Sequence, residues 1–276
     1  MPELPEVESI KIGLQKHVVN KKITKVFCSD KKLRFNSEID LNNLKNLEIE
    51  SVERQARYLV FSLNKNYNLI IHLGMSGKIV FVDAAKTKNY HTQKHDHFIC
   101  KFEDGSSLIY NDPRRFGFID LISADKLAQH KMLVKLGVEP LNNDFNAANL
   151  KKKLRGKKMN IKTAMMDNKI VVGVGNIYIN ESLFESAISP LRSASSLTDS
   201  EIKKLTLAIK NILKKAIVHG GSSINDYVDA NGSSGSFQDT FKVYGKNNKK
   251  CLHCNEIITK IVQNGRSTFY CKNCQK

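Results

Sequence analysis

The sequence predicts an α+β multidomain protein that consists of an N-terminal β-sandwich with a flanking helix, a helical domain and a C-terminal zinc-finger β-hairpin. Short apolar or alternating runs, separated by turn residues, extend from about residue 22 to 122 and indicate the sandwich. Helical periodicity begins near residue 125. Two CxxC pairs in residues 241–276 indicate the zinc hairpin. We therefore expect domains at 1–130, 131–222 and 241–276, with a flexible loop region at 223–240.

The individual elements follow from the same patterns. Residues 5–19 are predicted to form a helix because apolar side chains recur at helical spacing. Seven strands are predicted after it, at Ile49–Arg54, Tyr58–Leu63, Leu69–Leu73, Lys78–Val82, His97–Phe102, Ser107–Tyr110 and Gly117–Ile122. Four further helices are predicted, at Asp125–Leu136, Asn146–Leu154, Asn176–Glu185 and Thr198–His219. The stretch 229–240 is rich in glycine and serine and is predicted to be a mobile loop.

The charge of the chain favours a polyanionic partner. Its 276 residues include 44 lysines and arginines against 27 acids, which gives a formal charge of +17. An acidic membrane surface would also satisfy this charge, but no apolar run approaches the roughly 20 residues of a spanning helix. The acidic start is not a signal peptide, so we expect a cytoplasmic protein with reduced cysteines and no membrane association.

The amino terminus places an imino acid beside a carboxylate. A small residue at position two normally allows Met1 to be removed, which would expose the secondary amine of Pro2 next to Glu3. An α-amino group has a pKa of about 8, so part of it is unprotonated at neutral pH. Such an amine can attack a sugar aldehyde carbon, and Glu3 could transfer protons. The alternative is an ordinary helix start, with Pro5 in the first turn and acids at the positive end of the helix dipole.

The spacing of four cysteines predicts a structural metal site. Cys251, Cys254, Cys271 and Cys274 form two CxxC pairs separated by 16 residues, an arrangement that suits tetrahedral Zn²⁺. A site closed by four thiolates holds structure and leaves no open position for chemistry. Disulfide pairing is the alternative. Residues 240–276 carry eight basic side chains and one acid, Glu256, which favours contact with nucleic acid.

A second basic run precedes a glycine-rich turn. Seven positive residues and no acid lie between Lys151 and Lys162. The turn Gly173-Val174-Gly175 then leads into a predicted helix, whose first N–H groups can bind phosphate. Together the two features suggest a helix–turn–helix-like phosphate clamp. The alternative for the basic run alone is a solvated face.

Two glycine-flanked bends in the first domain carry apolar and basic side chains. The segments are His72-Leu73-Gly74-Met75-Ser76-Gly77 and Asn111-Asp112-Pro113-Arg114-Arg115-Phe116-Gly117. Met75 and Phe116 could be wedges that fill the gap left by an extruded base, or they could be core residues. Arg114 and Arg115 suit contact with phosphate or base.

These motifs occur together and in order over the whole chain. They are MPELPE at the start, HLGMSG, KHDH at Lys94–His97, DPRRFG, MDN-x5-GVGNIY at Met166–Tyr178, and a zinc finger ending in Arg266–Cys274. The set resembles that of the bacterial formamidopyrimidine-DNA glycosylase (Fpg/MutM) family, base-excision enzymes for oxidised purines. The resemblance implies a helix-two-turns-helix motif in the helical domain, and it implies that the loop region at 223–240 recognises the lesion.

The resemblance also implies the roles of single residues. Pro2 would be the Schiff-base nucleophile and Glu3 the acid/base. Met75, Arg114 and Phe116 would fill the void left by the flipped base. His95, Arg115, Lys158 and Asn176 would contact DNA phosphates. Arg266 would hold the phosphate at the lesion and assist elimination.

The implied activity is that of a bifunctional DNA glycosylase/AP lyase. It would excise formamidopyrimidine or 8-oxoguanine from damaged double-stranded DNA, and β- and δ-elimination would then leave a one-nucleotide gap. The protein would act as a monomer with one structural zinc ion. Two rivals remain at this point: an endonuclease VIII-like enzyme for oxidised pyrimidines, and a non-catalytic zinc-ribbon protein that binds nucleic acid.

The chain departs from the family pattern at several positions. Arg57 stands where the family has a lysine thought to assist base departure or β-elimination. A guanidinium keeps the charge but does not release a proton near neutral pH. The loop residues Ser233–Phe237 differ from the usual KPGYF, Asn225 replaces a common lysine, and Ile179 replaces a small residue. These changes bear on lesion preference more than on the fold.

Overall fold

The protein is described by a computed structural model that covers residues 1–34, 37, 39–223, 227–230 and 232–276; the predicted departure at Asn225 lies outside these residues. The chain forms two compact units, one of Met1–Val134 with Gly220–Gly235 and the other of Lys135–His219 with Ser236–Lys276. Over the described residues, each helix is too short or too polar to cross a membrane. The domain limits predicted at 130, 222 and 240 stay predictions.

The first unit contains a β-sandwich and a flanking helix, as predicted. Helix α1 spans Leu4–Val18 and the short α2 spans Ala84–Thr87. The strands are β1 (Ile23–Cys28), β2 (Ile49–Gln55), β3 (Tyr58–Leu63), β4 (Tyr67–His72), β5 (Lys78–Val82), β6 (Asp96–Phe102), β7 (Ser107–Asn111) and β8 (Phe118–Ser123). In the described part of the unit they form two antiparallel sheets, with the orders β1-β6-β7-β5 and β2-β3-β4-β8.

The core of this unit lies between the sheets and under α1. Leu14 of α1, Phe61 of β3 and Phe98 of β6 are among its fully buried members. Full burial of an apolar side chain of this size stabilises the folded state by roughly 1.5–3 kcal/mol. The segment 220–235 joins the same core through Ala230, which is fully buried and whose carbonyl accepts a hydrogen bond from the Phe81 N–H at 3.0 Å.

The helix predicted at Asp125–Leu136 is wrong. A 3₁₀ helix at Ala124–Gln129 is followed by turns. It ends at His130, whose backbone has φ −57° and ψ 127°. The buried His130 ring contacts Asp120 Oδ2 through Nε2 at 3.2 Å. We attribute the ending of the helix to this tertiary contact, which overrides the local helical pattern.

The second unit holds the predicted helices and the hairpin. Its helices are α3 (Ala147–Leu154), α4 (Ile161–Met165), α5 (Asn176–Glu185) and α6 (Asp199–Val218), and its strands are β9 (Thr259–Gln263) and β10 (Arg266–Tyr270). A capping box between Thr198 and Glu201 starts α6, as expected. Helix α4 was not predicted because five residues are too few to show periodicity. The end of the loop predicted at 229–240 is a 3₁₀ helix at Phe237–Thr240.

One buried carboxylate fixes the start of the hairpin segment. Glu181 on α5 accepts three consecutive backbone N–H groups, from Lys242, Val243 and Tyr244, at 2.8–3.0 Å. Burial raises the pKa of Glu181, and these three hydrogen bonds oppose the rise. The segment that leads to the zinc finger is therefore anchored on α5.

Candidate active site and nucleic-acid interface

The amino terminus is built around the first turn of α1. Pro2 is half-buried and Glu3 is buried at the N-cap. Glu3 and Glu6 form a capping box in which the Glu3 N–H donates to Glu6 Oε2 at 2.8 Å. The helix-start interpretation is therefore correct for the backbone, and it leaves the amine beside two carboxylates. Structural and catalytic uses of this turn are compatible.

Arg57 lies beside the amino terminus. It occupies the two-residue turn between β2 and β3, after Ala56 with φ 55°. Arg54 holds this turn against α1, because its Nε donates to Glu8 Oε2 at 2.6 Å and its Nη1 donates to the Ala56 carbonyl at 3.0 Å. The Arg57 guanidinium approaches the Met1 sulfur at 3.9 Å.

The environment of the terminal amine favours its neutral form. Burial lowers the pKa of the Met1 amine, and the charges of Arg57 and Arg114 lower it further against the opposing effect of Glu3. An amine that is deprotonated more readily is a better nucleophile at neutral pH. The sequence alone placed Glu3 near this amine, but it did not show the two arginines there.

The predicted wedge residues project from the two glycine-flanked bends. Met75 and Phe116 are 45% and 47% exposed, so the core interpretation of these side chains is wrong. The Arg114 guanidinium lies 4.9 Å from the centroid of the Phe116 ring, a cation–π contact. Arg115 is exposed and has φ 55°, while His95 is half-buried. The first unit thus presents apolar and basic side chains together at one set of loops.

The second unit brings Asn176 to the zinc hairpin. Asn176 is the first residue of α5, and its Nδ2 donates to the Ser267 carbonyl at 3.0 Å. Lys162 of α4 donates to the same carbonyl at 2.9 Å and to Thr268 Oγ1 at 2.7 Å. Lys162 is buried and was missed, because within a run of seven basic residues the sequence does not show which one packs inward. Lys158, which was predicted, is exposed between α3 and α4.

Arg266 lies at a cavity in this unit. The cavity has a volume of about 350 Å³, and its lining includes Lys162, Thr163, Asp167, Asn264 and Arg266. The exposed Arg266 begins β10, directly before the Ser267 carbonyl that Asn176 and Lys162 contact. Its position is thus set by the contact of the hairpin with α4 and α5.

The four predicted cysteines form one cluster. Their sulfur atoms all lie within 4.8 Å of one another, and the pairs Cys251–Cys274 and Cys254–Cys271 are 3.9 and 3.5 Å apart. A zinc tetrahedron with bonds of about 2.3 Å separates its sulfurs by about 3.8 Å. The donor set therefore fits one structural Zn²⁺, and disulfide pairing is wrong because all four cysteines are free. The His253 ring instead packs against Phe184 in a tilted arrangement, with the ring centroids 4.9 Å apart.

Comparison with known proteins covers the whole chain. Residues 1–119 match the formamidopyrimidine-DNA glycosylase N-terminal domain, residues 136–228 its H2TH domain, and residues 248–276 the zinc finger found in FPG and IleRS. The formamidopyrimidine-DNA glycosylase of Wolbachia pipientis from Culex pipiens is 46% identical, and that of Vesicomyosocius okutanii is 47% identical, each over 100% of both chains.

Solved structures agree with these matches. A mutant of the Lactococcus lactis FPG in complex with Fapy-dG-containing DNA has a TM-score of 0.91 and 36% identity. MutM in complex with carbocyclic 8-oxo-G-containing DNA has a TM-score of 0.90 and 36% identity. Each comparison covers 100% of both chains. With its sandwich, helical domain and four-cysteine hairpin, this chain belongs to the formamidopyrimidine-DNA glycosylase family.

Proposed function

We propose that Pro2, once Met1 is removed, is the nucleophile with which this bifunctional formamidopyrimidine-DNA glycosylase and AP lyase excises oxidised purines such as formamidopyrimidines and 8-oxoguanine. The observation that carries the proposal is the capping box at the start of α1, in which Glu3 and Glu6 lie beside the half-buried Pro2. Once Met1 is removed, the secondary amine of Pro2 would be the first group of the chain and would lie beside these two carboxylates.

The chemistry follows from a secondary amine at this place. The nitrogen lone pair forms a bond to the sugar C1′ while the glycosidic bond breaks, and the departing base takes up a proton. Opening of the sugar ring at O4′ then gives an iminium, which a secondary amine keeps cationic. Glu3 carries protons to and from the sugar. The iminium acts as an electron sink for loss of the C2′ proton with cleavage of C3′–O, and then for loss of the C4′ proton with cleavage of C5′–O.

The exposed loop residues give the first unit a way to hold an open duplex. Met75, Arg114 and Phe116 fill the space that the flipped nucleotide leaves. Their exposure and the contact between Arg114 and Phe116 support this role. The apolar side chains of this wedge can stack on neighbouring bases, and the guanidinium can form hydrogen bonds with the base that has lost its partner.

Basic and amide side chains supply the contacts to the backbone of damaged double-stranded DNA. We assign His95, Arg115, Lys158 and Asn176 to phosphates, and Arg266 to the phosphate at the lesion. Similar chains have been solved with lesion-containing or abasic-site DNA, which supports such a partner for this one. The positive charge of the whole chain supports it as well. The protein acts as a monomer in the bacterial cytoplasm, beside the chromosome.

Borohydride trapping tests the proposal on two duplexes, one with a single 8-oxoguanine and one with an abasic site. Mass spectrometry first establishes whether Met1 is absent. We expect covalent adducts on both duplexes for the processed protein and none through Pro2 in protein that retains Met1, where the Pro2 nitrogen is an amide. Pro2→Gly should form fewer adducts, because the imine of a primary amine can lose its proton and is then a weaker electron sink. Pro5→Gly, which alters the other proline of the same turn, is the matched control and should still form both adducts.

Two results would replace the proposal. Parental adduct yields in protein that retains Met1, where Pro2 has no free amine, would assign the nucleophile to another amine. No adduct with processed protein, together with equal binding of damaged and undamaged duplex, would support the non-catalytic zinc-ribbon protein. A parallel duplex with thymine glycol tests the endonuclease VIII-like alternative, which requires faster excision there than from formamidopyrimidine.

A further inference from the structure

A buried carboxylate lies behind the loops that carry the exposed wedge. Asp112, the first residue of the DPRRFG segment, has no exposed surface. Its Oδ1 accepts from Ser76 Oγ at 2.6 Å. Its Oδ2 accepts from the Gly117 N–H at 2.9 Å and from the Tyr110 hydroxyl at 3.1 Å. One carboxylate thereby bonds to a neighbour of Met75 and to a neighbour of Phe116.

The backbone of the same residue reaches a third segment. The Asp112 N–H donates to the His95 carbonyl at 3.0 Å. The Asp112 carbonyl contacts His97 Nε2 at 3.1 Å and accepts from the Arg115 N–H at 3.2 Å. Asp112 therefore also links the loop that carries His95 to the DPRRFG segment.

Ser76 completes the network from the other bend. Its hydroxyl donates to Asp112 and accepts from the Arg114 N–H at 3.2 Å. A single hydroxyl thus connects the residue after Met75 with the backbone of Arg114. Removing it would weaken the link between the two bends without deleting any side chain of the wedge.

The backbones of the two bends also touch. Gly74 has φ 63°, and a Cβ at this position would lie 2.4 Å from the Gly117 nitrogen. A Cβ at Gly117 would lie 2.0 Å from the Tyr110 hydroxyl oxygen and 2.3 Å from the His72 carbonyl oxygen. Side chains are therefore excluded at both positions by this close approach. The bends form one body that the Asp112 carboxylate fastens from inside.

We infer that Asp112 is a positioning residue that fixes Met75, Arg114 and Phe116 relative to one another and so serves base excision without touching DNA. The inference rests on the void-filling role proposed above. It separates two steps of the reaction. Extrusion of an intact purine requires the wedge to be aligned, whereas an abasic sugar has no base to extrude and needs only the amine and its neighbours. Loss of Asp112 should therefore slow excision more than lyase chemistry.

Two variants and one matched control test this role. Asp112→Asn keeps the shape of the side chain, but its NH₂ group replaces one of the two accepting oxygens. At least one buried donor to the carboxylate then has no acceptor. Ser76→Ala removes only the hydroxyl that joins the two bends. Asp120→Asn makes the same substitution at another fully buried carboxylate of this unit, one bonded to Ser37 and His130. Each variant is measured by single-turnover excision of 8-oxoguanine and by borohydride trapping on an abasic duplex.

We expect Asp112→Asn and Ser76→Ala to slow excision about tenfold or more, while trapping on the abasic duplex changes less than about threefold. A 2-aminopurine beside the lesion should show a slower fluorescence phase in both variants, because the wedge enters the duplex more slowly. Asp120→Asn should behave as the parent in all three measurements. If Asp112→Asn does not fold, Ser76→Ala carries the test alone.

Two outcomes would overturn the inference. Parental excision rates in both variants would show that the wedge does not depend on the network. Equal losses in excision and trapping, shared by Asp120→Asn, would show general destabilisation. Met75→Ala separates this result from the proposed function, since a parental excision rate in that variant would contradict the void-filling role itself.

Discussion

Glu6 joins the amino-terminal turn, which carries the proposed nucleophile Pro2, to a segment more than 200 residues away. Its Oε1 accepts from the Ser222 N–H at 2.8 Å, and its Oε2 accepts from the Glu3 N–H at 2.8 Å. The Tyr227 hydroxyl adds a contact to the Glu6 carbonyl at 3.3 Å. The turn that holds Pro2 is therefore fixed by the same side chain that holds Ser222, the residue before the predicted lesion loop.

Replacing Glu6 by glutamine should weaken this connection. The glutamine amide keeps the shape, but its NH₂ group faces one of the two buried N–H groups that Glu6 accepts. That N–H then has no acceptor, which costs about 1–3 kcal/mol of stability. We expect a lower free energy of unfolding in urea and slower borohydride trapping. Glu50→Gln, at an exposed position on β2, should leave both quantities unchanged. Parental stability of Glu6→Gln would mean that the Ser222 contact contributes little.

Arg57→Lys should raise turnover on 8-oxoguanine, because an amine beside the reacting sugar can transfer a proton and a guanidinium cannot. Arg57→Gln provides the contrast. It removes a charge that lowers the pKa of the amine, so its pH–rate profile should move to higher pH. Steady-state rates between pH 6 and 9 measure both effects. An unchanged or lower rate in Arg57→Lys would count against proton transfer at this position.

Acid should destabilise the first unit through His72. Burial first, and then the charges of Arg57 and Arg34, lower the pKa of His72 to about 4 from 6.5. The unfolded state therefore binds this proton more tightly, and stability falls as the pH drops from 6.5 toward 4, by about 1.4 kcal/mol per unit. Protonation of the His72 ring at Nδ1 would also break the hydrogen bond that this nitrogen accepts from the Gly74 N–H at 3.1 Å.

Urea unfolding at pH 7 and pH 5 measures this dependence. His72→Gln should lose about 2 kcal/mol less stability between the two values than the parent does. His91→Gln changes an exposed histidine and should retain the parental dependence. The same loss in all three proteins would assign the acid sensitivity to other groups.

Cys271→Ser should remove zinc and release the hairpin. Three thiolates bind Zn²⁺ less tightly than four, and the finger depends on the metal for its fold. We expect less than one zinc per chain by elemental analysis and weak DNA binding, with most of the helical circular dichroism retained. Cys100→Ser, at a buried cysteine outside the cluster, should keep its zinc. Stoichiometric zinc in Cys271→Ser would contradict the proposed ligand set.

DNA affinity should fall steeply with salt, because phosphate contacts release counterions. Arg266→Ala should weaken binding of a lesion duplex and reduce the slope of log K against log salt by about one. Fluorescence anisotropy from 50 to 300 mM KCl gives the slope. Lys45→Ala removes an exposed charge near the 3₁₀ helix at Leu41–Leu44 and should retain the parental slope. Equal slopes for the two variants would remove Arg266 from the interface.

Sequence patterns predicted the fold where local signals were strong. Two CxxC pairs and the capping box at Thr198 each act over a few residues, so their geometry could be foreseen. The prediction of a helix at Asp125–Leu136 was wrong, and we attribute this to the tertiary contact of His130 with Asp120 on strand β8. No local pattern reports such a bond.

The site was predictable where its residues stand in short motifs, and not where their role depends on tertiary partners. Met75, Arg114 and Phe116 stand out in short motifs, and their exposure agrees with a role in binding. Asp112 lies in the DPRRFG motif and Lys162 in the basic run, but their importance depends on burial and on partners from other segments. Tertiary packing decides these contacts, and one sequence does not display it.

The return of residues 220–235 to the first unit has a consequence for synthesis on the ribosome. The sandwich and α1 are translated by Val134, yet Ala230 and Ser222 complete the unit only after the residues 135–219 have been made. At bacterial elongation rates this delay is roughly 5–20 s. A nascent or truncated chain that ends before Ser222 would therefore carry the proposed nucleophile without the Ser222 contact to Glu6. Full assembly of the amino-terminal turn would thus follow synthesis of the helical unit, to which the phosphate contacts of Lys158 and Asn176 are assigned above.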